Sequence, residues 1–398
     1  MTYKVKFVDP AKGYRSIKEE IDAAYFEVMS KGDLIDRGQL KSFEKNLAAF
    51  VGTKYAVGLN SGYDALHLSL RAAGIGQGDE VIVPAHTFVA TCSAVVNVGA
   101  TLVLVDVSKD FNINIDEIEE VITDKTKGII PVHLSGYMAD MPRIIEIAEK
   151  YNLVLIEDAC QSLGSSIVDQ KSGGRRQEAE IRNQGAEIRD QGSETRGKKK
   201  MAGSWGLTGC WSFYPFKILG GYGDGGAITT DNRDVAMFAT QMRYNGEDRD
   251  TGEYHGHGFT CLLDNLQAAF LDVKLRHLPE WIKRRKEIAN RYRTALSDIS
   301  DLLLPHYDRL GFDHVYQNYT VRSKQGNEFS EYLKKNGIEV LTQFRKPYYK
   351  HKALKLEDSG FPETEVLSRE VCSLPMNTEI TDEEVEYVIK TVRSFYNK

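Results

Sequence analysis

The 398-residue sequence lacks the features of several large protein classes. No apolar run approaches the roughly 18 residues that a membrane-spanning helix needs, so we expect no membrane segment. The formal net charge of -6 gives no basic excess for binding nucleic acid. Residues 1–6 lack the apolar segment of a secretory signal, and we therefore expect a cytoplasmic protein.

Cysteine is also scarce, with five residues that are widely spaced and form no C-x-x-C pair. This pattern predicts reduced thiols rather than a disulfide framework or a zinc site. The nine histidines do not cluster at the spacing of metal ligands, and the sequence contains neither a G-x-x-x-x-G-K-[ST] loop nor an H-E-x-x-H motif. We therefore expect no metal in the functional site.

What the chain does have is the composition of a globular protein, with 41% hydrophobic and 27% charged residues. Because 398 residues exceed the size of one compact core, we expect two domains, residues 1–280 and 281–398. Between residues 55 and 156, short β-branched segments alternate with helical patterns. The segments are apolar without period-2 alternation, which predicts burial on both faces and a mostly parallel α/β sheet.

The expected elements can be placed approximately. The predicted strands are Tyr55–Leu59, Glu80–Val83, Thr101–Val105, Gly128–Pro131 and Leu153–Ile156. The predicted helices include Ser16–Met29, Leu40–Phe50, Asp64–Ala73, Phe88–Val98, Ile115–Ile122, Pro142–Tyr151, Trp281–Leu296 and Glu328–Asn336. A last helix follows a capping box at residues 381–384.

Residues 171–200 interrupt this alternation with a seven-residue repeat. Each repeat has at most one apolar residue, too few for a coiled coil, and Gly185 and Gly192 would interrupt a helix. We therefore expect an exposed low-complexity insertion without a function, with binding of a partner as the alternative.

The most informative segment is residues 212–226, where Lys217 lies between aromatic residues and a Gly-rich loop. A lysine amine can form a Schiff base with the aldehyde of pyridoxal phosphate. The alternative is an ordinary surface lysine. The glycines do not predict a dinucleotide site, because the strand-like residues 227–230 follow them instead of preceding them.

A second candidate is the acidic pair at the end of an apolar strand, Glu157-Asp158. Ligands of parallel sheets bind beyond the carboxyl ends of the strands. There Asp158 could keep the pyridinium nitrogen of the same cofactor protonated, and Gln161 could face the same ring. The alternative role for Asp158 is a helix cap or a turn.

Two further segments follow predicted strands. The amides of Gly62 and Tyr63 could bind a phosphate at a helix N-terminus, although Asn60 and Ser61 could also simply cap that helix. Phe88 could stack on an aromatic cofactor or belong to the core.

Taken together, these segments resemble the DegT/DnrJ/EryC1/StrS family of sugar aminotransferases, which have the aspartate aminotransferase-like fold type I. The resemblance covers nearly the whole chain except residues 171–200. Besides the lysine loop, it rests on residues 76–91, 132–136, 156–164, 263–269, 373–376 and 381–384. It implies a large domain with a mostly parallel seven-stranded sheet between helices, followed by a smaller C-terminal α+β domain.

The resemblance also implies pyridoxal 5'-phosphate as the cofactor and a role for each candidate residue. Lys217 would carry the cofactor and act as general acid and base, and Asp158 would bind the ring nitrogen. Gln161 would bind the ring hydroxyl, and Phe88 would stack on the ring. The phosphate would be held by Ser212 and by the amides of Gly62 and Tyr63.

Members of the family are homodimers with shared active sites, and they usually transfer the amino group of L-glutamate to a nucleotide-linked keto sugar. Residues 62–66 are more similar to members that aminate C3 than C4, so we expect a 3-keto hexose, with C4 amination as the alternative. Related dehydratases replace the lysine by histidine, which Lys217 argues against. A non-catalytic regulatory protein of the same fold is a further alternative.

The chain departs from the family pattern at three places. Tyr63 stands where a threonine is usual at the phosphate turn. Thr260 and Leu262 stand where many members have Asn and Arg, so the asparagine that reaches the partner's phosphate is missing. Gln343-Phe344 replaces a common His-Tyr pair near the expected substrate region.

Overall fold

The computed structural model describes residues 3–169, 198–305, 309–354, 356 and 360–397. The strands are β1 (Tyr55–Leu59), β2 (Glu80–Pro84), β3 (Thr101–Val105), β4 (Thr126–Ile129), β5 (Val154–Asp158), β6 (Ser166–Asp169), β7 (Lys198–Met201), β8 (Thr208–Ser212), β9 (Gly226–Thr230), β10 (Leu302–Leu303), β11 (Phe312–Asp313), β12 (Tyr319–Ser323) and β13 (Val371–Leu374).

The α-helices are α1 (Pro10–Ser16), α2 (Lys18–Lys31), α3 (Gly38–Val51), α4 (Gly62–Ala72), α5 (Val89–Asn97), α6 (Ile115–Ile118), α7 (Met141–Tyr151), α8 (Arg233–Met242), α9 (Asn265–Leu296), α10 (Gly326–Lys335), α11 (Pro362–Glu370) and α12 (Asp382–Tyr396). Short 3-10 turns occur at Glu119–Val121, Leu134–Gly136, Tyr348–Lys350 and Lys352–Leu354.

Seven strands form one sheet in the order β1-β9-β8-β5-β4-β2-β3. Six of them run in one direction, and only β9 runs antiparallel to its two neighbours. Two hydrophobic cores cover this sheet, and consecutive residues of one strand belong to different cores. Ile82 and Leu155 lie in one core, whereas Val81 and Ile156 lie in the other. Because successive strand residues point to opposite faces, the sheet is buried on both faces, which confirms the predicted α/β class.

A third core belongs to the C-terminal part of the chain. It packs the antiparallel sheet β10-β12-β13 against α10, α12 and the end of α9. Helix α9 extends over 32 residues and joins this core to the large sheet, so the predicted start of its helix at Trp281 was wrong. The predicted domain boundary at residue 280 lies inside α9, and the division of the chain at that point stays a prediction.

Most other expected elements occur close to their predicted positions. Strands β1 and β3 have the predicted bounds, whereas β4 begins two residues before the predicted segment. The predicted helix from Ile115 to Ile122 is one short helix followed by a 3-10 turn. The capping box is confirmed, since Thr381 and Glu384 exchange both hydrogen bonds at the start of α12.

The predicted insertion at residues 171–200 follows β6 and ends in β7, two strands of a small antiparallel sheet of the order β11-β6-β7. Residues 198–200 belong to β7, so the predicted end of the insertion was too late. Asp169 and Lys198 are paired across β6 and β7. Residues 170–197, on which most of that prediction falls, lie outside the described residues. Within the described part of the chain, no helix is long and apolar enough to cross a membrane.

Candidate active site

A cavity of about 650 Å³ opens at the carboxyl ends of β5 and β8, next to the start of α4. This is the edge of a parallel sheet at which ligands bind. All seven candidate residues line this one cavity: Gly62, Tyr63, Phe88, Asp158, Gln161, Ser212 and Lys217. The structure therefore brings together residues that are up to 155 positions apart, from 62 to 217 in the sequence.

Lys217 projects from a tight turn of the loop between β8 and β9. Its backbone amide donates to the carbonyl of Tyr214 at 2.8 Å, and the amide of Gly221 donates to that of Phe213 at 2.7 Å. A Cβ at Gly220 would lie 2.4 Å from the carbonyl oxygen of Pro215, so this close approach requires glycine. Among the described residues, no hydrogen bond or ion pair occupies the Lys217 amine, which is therefore available to a ligand in the cavity.

Asp158 is the last residue of β5 and is almost fully buried. Its Oδ2 accepts a hydrogen bond from the Thr91 hydroxyl at 2.7 Å, and that hydroxyl also lies 3.0 Å from the one of Thr87. Its Oδ1 accepts a longer bond from the amide of Cys160 at 3.3 Å. These contacts fix the carboxylate while leaving acceptor capacity on both oxygens for a donor in the cavity.

The adjacent carboxylate has a different role, because Glu157 points to the other face of the sheet. Its oxygens accept hydrogen bonds from the amides of Gly203, Trp205 and Gly206 at 2.6–2.9 Å. The Nε2 atom of His133 lies 3.0 Å from Glu157, and Nδ1 of the same ring accepts from the amide of Ala139. Because Nδ1 accepts, the proton is on Nε2, and Glu157 joins buried segments rather than serving the cavity.

The start of α4 forms a recess bounded by the end of β8. The Ser61 hydroxyl caps the helix by accepting from the amide of Asp64 at 3.1 Å, so the amides of Gly62 and Tyr63 have no partner within the helix. A Cβ at Gly62 would lie 2.8 Å from the Cys160 sulfur and 2.9 Å from the Cβ of Ser212. Glycine thus lets the start of α4 pack directly against Cys160 and Ser212, and the amides there suit a phosphate.

Two neutral groups lie beside this recess and the cavity wall. Burial raises the pKa of the Cys160 thiol, which therefore stays uncharged next to the helix start. Burial also lowers the pKa of His86 to about 4, so its ring is neutral where it contacts Phe344. A phosphate in the recess would consequently meet no negative thiolate at Cys160.

Gln161 and Phe88 line the same cavity as Asp158 and Lys217. The Gln161 Oε1 accepts from the amide of Ser135 at 2.7 Å, which orients the side chain and leaves its N–H groups to donate. Phe88 is 58% exposed although it is a large apolar residue, and its ring lies 6.4 Å from that of Phe344. The exposure argues against the alternative that Phe88 belongs to the core. Gln343 and Phe344 also line the cavity, as expected for the substrate region.

Two residues of the site were missed by the sequence analysis. Thr91 orients the Asp158 carboxylate through a hydrogen bond. Its position in the sequence, three residues after Phe88 and near the start of a helix, could have suggested that it belongs to the site. Gln317 contacts the backbone on both sides of Lys217 from a segment one hundred positions away, and no local pattern indicates this.

This arrangement fits pyridoxal phosphate. The start of α4 could bind a phosphate without requiring a cation, Asp158 could accept a hydrogen bond from a protonated ring nitrogen, and Lys217 could bond to the aldehyde. The fold and the site together place the protein among the fold type I enzymes that use pyridoxal phosphate.

Within that class, the chain belongs to the DegT/DnrJ/EryC1/StrS aminotransferase family, which it matches over residues 15–393.

Curated relatives match over nearly their full length. A dTDP-3-amino-3,4,6-trideoxy-alpha-D-glucose transaminase of Streptomyces venezuelae is 34% identical, over 99% of this chain and 97% of the relative. A dTDP-3-amino-3,6-dideoxy-alpha-D-galactopyranose transaminase of Aneurinibacillus thermoaerophilus is 36% identical, over 98% and 99%. A protein of Geobacillus stearothermophilus named as a pleiotropic regulatory protein is 34% identical, over 98% of both chains.

Solved structures agree with this assignment. The S. venezuelae DesV structure in complex with a ketimine intermediate has a TM-score of 0.88 and 32% identity, covering 100% of this chain and 99% of the other. The structure of NtdA from Bacillus subtilis with bound cofactor PMP has a TM-score of 0.85 and 28% identity, covering 100% and 86%.

Proposed function

We propose that the protein transfers an amino group, with L-glutamate as donor, to a nucleotide-linked 3-keto hexose, and that it works as a cytoplasmic homodimer. The observation that carries this proposal is the convergence of Lys217, Asp158 and the start of α4 on one cavity. The relatives that are named as transaminases of dTDP-linked 3-amino sugars support the acceptor class and position C3. The five cysteines carry no disulfide, which supports a reducing compartment.

The residues that would hold the cofactor divide into two groups. Gly62, Tyr63 and Ser212 would bind the phosphate through two backbone amides and a hydroxyl. Asp158 and Gln161 would bind the edge of the ring, with Asp158 accepting from the nitrogen and Gln161 donating to the hydroxyl. When bound, pyridoxal phosphate supplies a protonated ring that accepts the electron pair of a breaking C–H bond.

The chain's own groups would then supply orientation and proton transfer. Phe88 would cover one face of the ring and keep water away from it. Thr91 would hold the Asp158 carboxylate in the position from which it keeps the ring nitrogen protonated. Lys217 is the only amine among the described lining residues, so its Nζ would take the proton from the substrate carbon and return it during transfer.

The charge of the cavity supports a shared site. Amino-acid carboxylates and nucleotide diphosphates are anionic, yet Lys217 is the only cationic side chain among the described residues that line the cavity. The acidic lining residues Asp224 and Glu339 would repel such substrates. A second copy of the chain, facing the cavity mouth, would have to supply the missing positive charge.

Regulation without catalysis is the second candidate, because one relative is named as a pleiotropic regulatory protein. A chain that only kept the fold would have no need for a lysine and a buried, oriented carboxylate that line the same cavity. The site therefore favours catalysis.

The proposal is tested by incubating the holoenzyme with L-glutamate and matched dTDP-linked 3-keto and 4-keto hexoses. We expect an amino sugar with its nitrogen at C3, formed in equal amount with 2-oxoglutarate and identified by NMR and mass spectrometry. The variant Lys217→Ala serves as the inactive control. Amination of the 4-keto sugar alone would overturn the C3 assignment, and no transfer to either sugar from any amino acid would overturn the function.

A further inference from the structure

We propose that Gln317, in the segment that leads into β12, is the positioning residue for Lys217. This inference rests on the proposed function, because it concerns the lysine that would carry the cofactor. Gln317 is not in the lysine loop and belongs to the C-terminal part of the chain, yet it lines the same cavity and is 6% exposed.

The side chain of Gln317 binds the two peptide groups that flank Lys217. Its Oε1 accepts from the amide of Ile218 at 2.7 Å, and its Nε2 donates to the carbonyl of Phe216 at 3.0 Å. Because one partner is an N–H and the other a C=O, they fix the orientation of the Gln317 carboxamide, with its oxygen toward Ile218 and its nitrogen toward Phe216. The two bonds restrict the peptide planes before and after Lys217, and therefore the direction in which its side chain leaves the backbone.

Gln317 is itself held from the opposite side. The guanidinium of Arg285, on α9, donates to the backbone carbonyls of Tyr316 and Gln317 at 2.9 and 3.2 Å. Tyr316 has a φ of +51°, which non-glycine residues rarely adopt and which the surrounding structure must maintain. Burial lowers the pKa of Arg285 to about 10, and the side chain therefore remains charged at neutral pH. Arg285 on α9 thus holds the backbone of Tyr316 and Gln317, and the Gln317 carboxamide in turn holds the backbone on both sides of Lys217.

The lysine loop has other contacts that keep it folded. The amide of Phe213 donates to the carbonyl of Gly225 at 2.7 Å, and the Lys274 amine donates to the carbonyl of Gly220 at 2.6 Å. Removing the Gln317 carboxamide should therefore leave the loop folded and change only the direction in which the Lys217 side chain points. A lysine side chain has four rotatable bonds, so a small change in backbone direction moves its amine appreciably.

The test uses the full-length protein and the substitutions Gln317→Leu and Gln317→Glu. Leucine keeps the volume and removes both bonds, whereas glutamate keeps only the acceptor for Ile218. We expect Gln317→Leu to lower kcat by about 10- to 100-fold with KM for both substrates changed by less than about threefold, because misplacement by about 1 Å has effects of this size. Gln317→Glu turns an acceptor instead of a donor toward the Phe216 carbonyl, so we expect it to lower kcat at least as much as Gln317→Leu, and it keeps the test decisive if the leucine variant does not fold.

Two measurements do not depend on turnover. Pyridoxal phosphate is added to the apo-protein, and its capture on Lys217 is followed by borohydride trapping and peptide mapping; the visible circular dichroism of the bound cofactor is then recorded. We expect slower capture and a weaker dichroic band in Gln317→Leu. These readouts test Gln317 even if no sugar is aminated, so failure of the proposed function would be recognised separately.

Asn265→Ala is the matched control, since Asn265 is a fully buried amide that binds the carbonyl of Asp33 and the amide of Leu40. It should lower the melting temperature without changing capture or dichroism. If Gln317→Leu behaves like Asn265→Ala, with lower stability but unchanged capture, dichroism and kcat, then Gln317 is only structural and the proposal is wrong.

Discussion

At the scale of single residues, the neighbouring carboxylates Glu157 and Asp158 have different roles because they point to opposite faces of one strand. Glu157 is fully buried and accepts three backbone amides in addition to its contact with His133, so its oxygens have no capacity left for a ligand. Asp158 has one close donor, Thr91, and faces the cavity. The sequence shows an acidic pair at a strand end but not which member faces the site.

Replacing each carboxylate by its amide should separate the two roles. We expect Asp158→Asn to lower kcat by about 100-fold or more, because an amide cannot maintain a proton on the ring nitrogen as an ionised group does. Its melting temperature should stay close to that of the wild type. Steady-state kinetics and thermal melting of the holoenzyme check both parts.

Glu157→Gln is the matched control, since it is the same chemical change one residue away. The NH₂ group of the new glutamine must face a backbone N–H that previously donated to Glu157. Because two donors then oppose each other, we expect the free energy of unfolding to fall by about 3 kcal/mol. If Asp158→Asn destabilised the fold as much while retaining turnover, the assignment of Asp158 to the ring nitrogen would be wrong.

At the scale of elements, the sequence was most informative where a pattern is local. Strands β1 and β3 and the capping box of α12 follow from β-branched runs and from a spacing of three residues. The continuation of α9 through Pro279 could not be predicted from a local pattern, because proline normally ends or kinks a helix. In the folded chain, the packing of α9 against two hydrophobic cores outweighs this local preference. Gln317 was missed for a related reason, since its partners are distant in sequence.

The pairing of β6 with β7 gives a prediction for the insertion. Asp169 and Lys198 are directly paired, so a two-residue Asn-Gly turn can join them after residues 170–197 are removed. We expect this shortened protein to fold, to bind the cofactor and to keep kcat/KM within about twofold, because the entropy of loop closure depends weakly on length. Circular dichroism, cofactor absorbance and kinetics provide the measurements.

A longer deletion, residues 170–201, is the control. It also removes β7, which directly precedes Gly203 and Trp205, whose backbone amides bind Glu157. We therefore expect this longer deletion to lower the stability of the protein markedly. Loss of activity in the shorter deletion, with the fold intact, would instead show that residues 170–197 shape the site.

At the scale of the whole molecule, two observations point to assembly. The described lining of the cavity has one cation, although the proposed substrates carry several negative charges. The end of α2 and the segment after it expose large apolar side chains that a monomer would have to leave in water: Tyr25, Phe26, Met29, Leu34 and Ile35. A second copy that covers this surface could also complete the site.

The last prediction tests this surface with Phe26→Asp, a residue that is 66% exposed and does not line the cavity. If the surface is the dimer interface, burying an unpaired carboxylate there should shift the protein toward monomers and lower activity by more than about tenfold at dilute concentration. Analytical ultracentrifugation and activity measured over a dilution series check both effects. Leu310→Asp is the matched control, because Leu310 is also 66% exposed but lies on the C-terminal part of the chain. A Phe26→Asp protein that sediments as a monomer with full activity would show that one chain carries a complete site.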